Sequence, residues 1–139
     1  MRSVIVHLIE TTEAEVSAFL ETRYPTQAGP PWVALSNNEQ CLYINFYTHL
    51  LEEAGPDELS ELERRLGLMP SISVIADISG RHSGDLEVEA FITVMLTKFS
   101  GVAGDDYTAR FWTLDEIISA GDVQNGQRFF DYRWRSRLH

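Results

Sequence analysis

The side chains best suited to catalysis lie in the run SVIADISGRHSGDLEVEAF, residues 73–91. Arg81 carries a planar, permanently charged fork that binds carboxylates or phosphates, and His82 has an imidazole, the side chain most often used to move protons in enzymes. Asp77 precedes them on a strand-like segment, and Asp85 follows them at the start of a helix-like one. In an enzyme, Arg81 would hold an anionic group while His82 moved a proton. The run therefore defines one candidate catalytic site.

The same loop, residues 79–85, also has a purely structural interpretation. Gly80 and Gly84 permit backbone conformations that are closed to other residues, and Ser83 or Asp85 can cap the helix that follows. The Lys-Ser/Thr pair and the spacing of a phosphate-binding loop are missing. We favour a tight turn with a capping side chain, and we keep a small enzyme as the alternative.

A second candidate acid–base pair is His7 with Asp77, because the two occupy matching positions in the segments SVIVH and SVIAD. If the strands that carry them are antiparallel, the two side chains lie toward opposite ends and cannot act together. Asp105 and Asp106 are adjacent acids of the kind that bind divalent cations, but no calcium-loop or His-x-x-x-His pattern accompanies them. The sequence predicts no metal site and no cofactor.

The charge of the chain bears on its partners. Asp and Glu number 21 against 11 Lys and Arg, which gives a net charge of −10. Residues 1–127 carry a net charge of −13, whereas residues 128–139 carry +3. An acidic body repels phosphate backbones and anionic lipid, and it attracts basic proteins. We expect no nucleic-acid or membrane partner, and a basic protein partner unless the acidity serves solubility alone.

Length and cysteine content favour an ordinary single domain. The 139 residues suffice for one hydrophobic core, and no apolar run approaches the roughly 20 residues that span a bilayer. The N-terminus lacks the features of a signal peptide, and Cys41 is the only cysteine, so it can form no internal disulfide. These features predict a cytoplasmic protein.

Hydrophobic periodicity predicts strands and helices along the whole chain. Strands are expected at SVIVHLI, WVALS, CLYINFY, SISVIADIS and YTARFWT, and helices at TEAEVSAFLETRY, GPDELSELERRL, DLEVEAFITVMLTKFS and TLDEIISAG. Capping boxes at Thr12–Glu15 and Thr113–Glu116 support the first and last helices. The segment Ser36–Gln40 is expected to be the turn of a hairpin.

Two segments, residues 3–20 and 73–92, share a strand, a helix and several residue types, which predicts an internal repeat. The whole chain, residues 1–139, is then a single α+β domain, with an antiparallel-dominated sheet and helices packed on one face. We expect a ferredoxin-like arrangement, in which a duplicated strand–helix–strand unit carries an added hairpin and a C-terminal extension.

One face of this sheet is expected to stay free of helices, and we call it the open face. Alternation assigns to it Ile5, His7, Ile9, Cys41, Tyr43, Asn45, Tyr47, Ile75 and Asp77. A face that mixes aromatic, polar and aliphatic side chains is typical of a binding surface or a homodimer interface. Alternatively, the aromatic C-terminal segment RFFDYRW folds back over it.

Partner contacts are expected where acids and aromatic residues concentrate outside the core. The candidates are Glu52, Glu53, Asp57, Glu58 and Glu61 around the acidic helix, and Asp105, Asp106 and Trp112 in the loops after the longest helix. Because exposed charges are screened by ions, association through these residues should weaken as the salt concentration rises.

The runs SGRHSGD, GVAGDDY, FWTLDEI and RFFDYR form a distinctive set within residues 73–133. As a set they resemble a family of small, largely uncharacterised bacterial proteins of immunity-protein type. The chain departs from that pattern at Ser100, where a glycine is expected, and at Gln127 in the closing motif. The resemblance implies no established activity. It implies a non-catalytic binding protein that neutralises a toxin or another basic protein.

Overall fold

The computed structural model describes residues 2–25, 29–82, 84–105 and 111–118. Within these residues the elements in chain order are β1 (Arg2–Ile9), α1 (Glu13–Arg23), β2 (Trp32–Ser36), β3 (Glu39–Phe46), α2 (Leu50–Glu53), α3 (Pro56–Leu66), β4 (Ile72–Ile78), α4 (Asp85–Lys98), β5 (Ser100–Asp105) and α5 (Leu114–Ile118). The short helix α2 was not predicted from the sequence. No helix in the described residues is long and apolar enough to cross a membrane.

The strands form one sheet in the order β2-β3-β4-β1-β5, and every neighbouring pair is antiparallel. β1, α1 and β3 make one strand–helix–strand unit, and β4, α4 and β5 make the second. The first strands of the two units pair at the centre of the sheet, while β2 is added at one edge as an arm of a hairpin. The predicted α+β, ferredoxin-like fold is confirmed.

The core lies between one face of this sheet and the helices α1 and α4. Ile5 pairs with Ile75, and both are only half-buried on the open face. Since side chains alternate along a strand, the residues on either side of them point toward the helices. That face buries Val4, Val6, Leu8, Val74, Ala76 and Ile78, and the helices add Val16, Leu20, Val88, Phe91, Ile92 and Met95. A slip of one residue in the pairing would expose the whole face, so burial fixes the register.

The helices α1 and α4 begin at matching places in the two segments that share sequence features. Glu13 and Asp85 are their first residues, and the first buried positions, Val16 and Val88, follow at the same distance. These relations are what an internal repeat requires. A common origin of the two segments stays a prediction, which superposition of residues 3–20 on 73–92 would test.

The two helices nevertheless begin in different ways. Thr12 caps α1, because its hydroxyl accepts a hydrogen bond of 3.2 Å from the amide three residues later. Gly84 precedes α4 in a left-handed conformation, with φ of 75°, and among the described residues no side-chain hydrogen bond caps that helix. The prediction that Asp85 caps α4 is wrong, since Asp85 is the first residue of the helix itself. The other predicted cap, Ser83, lies outside the described residues.

The hairpin of β2 and β3 turns through Asn37 and Asn38. Both have positive φ, 52° and 67°, which a two-residue turn between twisted strands needs and which asparagine tolerates. The predicted turn within Ser36–Gln40 is confirmed.

Cys41 sits in a β-bulge of this hairpin. Ala34 pairs with Leu42 but Leu35 pairs with Gln40, so the residue between those two partners is the extra one. The Cys41 side chain is fully buried in the main core, and its thiol donates to a Glu87 carboxylate oxygen of α4 at 3.7 Å. The prediction that Cys41 belongs to the open face is therefore wrong, because the bulge interrupts the alternation.

The last part of the sheet differs from the prediction. β5 occupies residues 100–105, where a loop was expected, and the first four residues of the predicted strand YTARFWT, 107–110, lie outside the described residues. Trp112 adds a single bridge to the edge, because its amide and carbonyl exchange hydrogen bonds of 2.8 and 2.9 Å with Ala103. The C-terminal extension from residue 119 onward, including RFFDYRW, also lies outside the described residues.

The start of α5 follows the sequence prediction. The amide of Glu116 donates to the hydroxyl of Thr113 at 3.2 Å, and the amide of Thr113 donates to the Glu116 carboxylate at 2.9 Å. Two backbone donors are thus satisfied reciprocally, which confirms the second capping box.

Candidate functional site

The central strands carry two polar pairs on the open face. Antiparallel pairing sets Ser3 opposite Asp77 and His7 opposite Ser73. The Ser3 hydroxyl donates to Oδ1 of Asp77 at 2.5 Å, and Nδ1 of His7 lies 2.8 Å from Oγ of Ser73. As predicted for antiparallel strands, His7 and Asp77 lie toward opposite ends of the strand pair. They do not form a catalytic pair.

The His7–Ser73 pair is covered. The two residues are 3% and 7% exposed, and the ring of Phe111 meets the imidazole edge-on with 5.5 Å between ring centroids. Val102, opposite His7 on β5, is buried as well. Burial lowers the pKa of His7 from 6.5 to about 4, because the imidazolium would lose its water. A covered and weakly basic imidazole is better suited to packing than to proton transfer near neutral pH.

Helix α3 helps to hold this cover in place. It lies against β5, and Arg65 near its end donates to the carbonyl oxygen of Phe111 at 3.0 Å. The same guanidinium forms an ion pair with Glu116 at the start of α5. Leu62, one turn earlier on α3, is fully buried. At the His7 end the open face is therefore covered by Phe111, which Arg65 of α3 holds through its carbonyl oxygen.

The Ser3–Asp77 pair is only half-buried. Tyr43 lies opposite Asp77 on β3, and its hydroxyl donates to the Gln40 side chain at 3.1 Å. Asn45, opposite Ile75, is also half-buried. The open face is thus a partly accessible surface of polar and aromatic groups at this end.

The loop between β4 and α4 does not assemble the predicted catalytic group. Arg81 is exposed, and its amide rather than its guanidinium contacts the Ser79 hydroxyl, at 3.3 Å. His82 is mostly buried, and its Nε2 lies 3.8 Å from a Glu39 carboxylate oxygen. The backbone carbonyl of His82 accepts from the guanidinium of Arg2. His82 therefore faces an acid that the sequence analysis did not single out.

The acids of α2 and α3 form a second candidate surface. Glu52, Glu53, Asp57 and Glu58 are exposed, and Glu61 is partly exposed. Glu52 lies 3.2 Å from Nδ1 of His49, and Glu61 forms an ion pair of 2.6 Å with Arg64 on the same helix. We call these five acids the acidic surface. It lies within residues 52–61 and is open to solvent, as a site of electrostatic contact must be.

Tyr47 joins the acidic surface to the sheet. Its amide donates to the carbonyl of Ser73 at 2.9 Å, and its hydroxyl donates to Glu53. The pKa of Tyr47 is raised to about 12, first by burial, then by the hydrogen bond to Glu53 and the charges of Glu53, Glu58 and Glu52. Several carboxylates of the acidic surface therefore act on one phenol.

The remaining predicted contact residues are placed differently. Asp105 is half-buried at the end of β5, opposite Val4, and Asp106 lies outside the described residues. Trp112 is fully buried, so it presents no surface to a partner. Asp105 therefore lies on a strand, not on the helices that carry the acidic surface.

A groove of about 430 Å³ borders the acidic surface. It runs between the start of α1, the end of β3, α2 and the start of β4, and two carboxylates, Glu13 and Glu52, line it together with mainly apolar side chains. The apolar and aromatic lining comes from Phe46, Tyr47, Leu50, Leu51, Met69, Pro70 and Ile72. None of the described lining residues is basic.

This groove was not predicted from the sequence. Its walls come from segments that are far apart in the chain, and only the antiparallel register brings β3 and β4 side by side. A second groove, of about 450 Å³, lies between α1, β2 and α4, with Arg23 and Glu87 among its lining residues. Neither groove includes Arg81, His82 or Asp85.

No group of three or more His, Cys, Asp or Glu residues within the described ranges is placed to hold a metal ion. No protein-family model matches this chain, and neither curated proteins nor solved structures give a significant match. The resemblance to proteins of immunity type therefore stays a prediction.

Proposed function

We propose that this chain is a non-catalytic, acidic binding protein that masks a basic protein partner, in the manner of an immunity protein that neutralises a toxin. In this proposal the setting is the bacterial cytoplasm, and nucleic acid is not a partner because the acidic body repels phosphate. The proposal rests on the acidic surface and on the sequence resemblance, and it needs no catalytic residue.

The distribution of charge is the observation that carries the proposal. Residues 3–63 contain 11 acids and a single base, Arg23. Four of these acids are exposed on α2 and the start of α3, where Leu51 is also 73% exposed. An exposed leucine among carboxylates offers a basic partner both an apolar contact and charge complementarity.

The structure of the loop 79–85 favours the binding protein over the alternative hypothesis, a small enzyme with its catalytic site in this loop. Arg81 is exposed, Asp77 is engaged by Ser3, and His82 lies beside Glu39. A catalytic site would need the imidazole, a carboxylate and the guanidinium to converge on one cavity. Binding through the acidic surface requires no such convergence.

The test is association with the product of the neighbouring gene, measured at low and high salt. Raising the ionic strength from about 0.1 M to about 1 M shortens the screening length from about 10 Å to about 3 Å, so association through exposed charges should slow markedly. Replacing Glu52 and Glu58 with lysine should weaken binding by about tenfold or more.

A matched control makes the same change in net charge at positions outside the acidic surface. Glu21 and Glu89 are exposed on α1 and α4, away from the acidic surface, and their replacement with lysine should have a much smaller effect. Binding that is indifferent to salt, or equally weakened by both pairs of substitutions, would contradict the proposal.

A homodimer through the half-buried end of the open face is a second proposal. It is supported by Tyr43, Asn45 and Ile75, which leave aromatic, polar and aliphatic groups partly accessible on one face of the sheet. Light scattering distinguishes it, because a strictly monomeric protein at high concentration excludes a stable dimer.

A further inference from the structure

We infer that the groove beside the acidic surface is an anchoring site for a cationic side chain with an aliphatic stem, above all arginine, presented by a partner. This inference rests on the proposed function and names the part of the partner that is recognised. It concerns the groove lined by Glu13 and Glu52, which is distinct from the loop of Arg81 and His82.

The groove is built from backbone hydrogen bonds on two sides. Tyr47 donates to the carbonyl of Ser73 at 2.9 Å where β3 ends, and Ser71 donates from its amide to the carbonyl of Leu8 at 2.8 Å where β4 approaches β1. The Ser71 hydroxyl also donates to the carbonyl of Thr11 at 2.9 Å, just before α1. These bonds hold the walls that carry Glu13 and the β3 aromatics.

The charges of the groove come from two independent elements. Glu13 lies in the first turn of α1, and Glu52 lies on α2. Glu52 has His49 at 3.2 Å, while Glu13 makes no ion pair with any described residue. Because no described basic side chain lines the groove, a cation that enters it meets two carboxylates, and His49 beside Glu52 is a nearby side chain that can compete with it.

The apolar lining decides which kind of cation fits. Leu50, Leu51, Met69 and Ile72 offer a surface for methylene groups, and Phe46 and Tyr47 add aromatic side chains to the same lining. A small hydrated ion would leave this lining unused. An arginine side chain uses both parts, since its stem is apolar and its guanidinium forms paired hydrogen bonds with carboxylates.

The groove is open on one side, and its volume of about 430 Å³ is in the range of ligand sites in proteins. Leu51, at 73% exposure, stands beside the opening and is available to pack on the rest of a bound segment. The groove therefore supplies a central anchor, and the surrounding acids Glu53 and Glu58 supply the charged rim.

The experiment is a titration of the ¹⁵N-labelled protein with Nα-acetyl-argininamide, followed by amide chemical shifts. Nα-acetyl-citrullinamide, which has the same shape but no charge, is the control ligand. We expect saturable shifts for Tyr47, Leu51 and Ile72 with the arginine compound and not with the citrulline compound. Equal responses to both ligands, or shifts confined to other surfaces, would overturn the inference.

Matched variants locate the binding. Glu13→Gln with Glu52→Gln should weaken binding of the arginine compound by about fivefold, which is what an exposed ion pair can supply. Glu21→Gln with Glu89→Gln removes the same charge from exposed positions outside the groove and should change the affinity less than twofold. If the two pairs behave alike, the groove is not the site.

The failure of this inference differs from the failure of the proposed function. A basic partner that binds in a salt-sensitive way, without any response of the groove to argininamide, overturns the groove and leaves the proposed function standing. A partner that shows no salt-sensitive association overturns the proposed function whatever the titration gives.

Discussion

The two ends of the β1–β4 pair are built alike and used differently. Each end joins a serine of one strand to a titratable residue of the other, Ser73 with His7 and Ser3 with Asp77. The His7 end is covered by Phe111 and nearly excluded from solvent, while the Asp77 end is half-buried. We refer to them as the covered end and the accessible end.

The surroundings of each pair, rather than the pair itself, decide its role. At the covered end, burial lowers the pKa of His7 to about 4, and the Phe111 ring packs against the imidazole. The pair at this end therefore contributes to packing. At the accessible end the equivalent positions keep hydrophilic groups within reach of a partner. An isolated His or Asp in a sequence therefore says little about function until its cover is known.

The largest effect is expected where β5 approaches the covered end. A Cβ at Gly101 would overlap the carbonyl oxygen of His7 and lie 2.9 Å from Cδ2 of Leu8. Because a backbone atom cannot move aside cheaply, Gly101→Ala should lower the free energy of unfolding by about 3 kcal/mol or prevent folding. Denaturant unfolding measures the loss.

Gly104→Ala is the matched control on the same strand. A Cβ there would lie 3.5 Å from the ring of Phe111, which is an ordinary contact. Its cost should therefore stay below about 1 kcal/mol. Equal costs for Gly101→Ala and Gly104→Ala would mean that β5 does not pack closely on the covered end.

Acid should destabilise the protein through the covered end. The pKa of His7 is 6.5 in the unfolded chain and about 4 in the fold, so between these values the unfolded chain binds a proton that the fold excludes. Stability is complete above pH 6.5, falls by about 1.4 kcal/mol per pH unit below it, and levels off near pH 4, a total of about 3 kcal/mol.

The measurement is the free energy of unfolding against pH for the wild type and for His7→Gln. The variant should lose this dependence, whereas His49→Gln should keep it because the His49 side chain is 61% exposed. A wild-type curve that is flat between pH 6.5 and 4, or that matches His7→Gln, would contradict the burial of His7.

Removing the cover of His7 should make its surroundings more like those of Asp77, which is half-buried at the accessible end. Phe111→Ala removes the ring that meets the imidazole and should cost about 2 kcal/mol, since the ring is only partly buried. The pKa of His7 should then rise toward 6.5, which an NMR titration measures. Tyr43→Ala, beside Asp77, should leave the pKa of His7 unchanged. A pKa that stays near 4 in Phe111→Ala would show that the ring is not the cover.

The fold was predictable because it depends on repeated patterns. The alternation of SVIVHLI and SISVIADI, together with the helix signals at Thr12 and Gly55, defines the elements and their burial. β5 was missed because SGVAGD is small and glycine-rich, and its strand conformation depends on contact with His7 and Leu8. Such a contact has no signature within the segment itself.

The candidate site was predicted only in part for a related reason. The acids of α2 and α3 all lie within residues 52–61, so composition alone indicates an acidic surface. The groove depends on Glu13, Tyr47 and Met69, which come together only after the strands pair. The bulge that turns Cys41 inward and the approach of Phe111 to His7 are likewise properties of the assembled sheet.

The smallest effects should come from removing the two serine hydroxyls. The two substitutions compare a hydrogen bond at the covered end with one at the accessible end. Ser73→Ala leaves the buried Nδ1 of His7 without its partner at 2.8 Å, so we expect a loss of about 1–2 kcal/mol in the free energy of unfolding. Ser3→Ala removes the donor to Asp77 at 2.5 Å, but water can reach a half-buried carboxylate and replace it. The loss there should stay near about 0.5 kcal/mol. Unfolding of both variants in denaturant at neutral pH measures the difference. A larger loss for Ser3→Ala would reverse the assignment of the covered and accessible ends, because the cost of an unmet hydrogen bond rises with the exclusion of water.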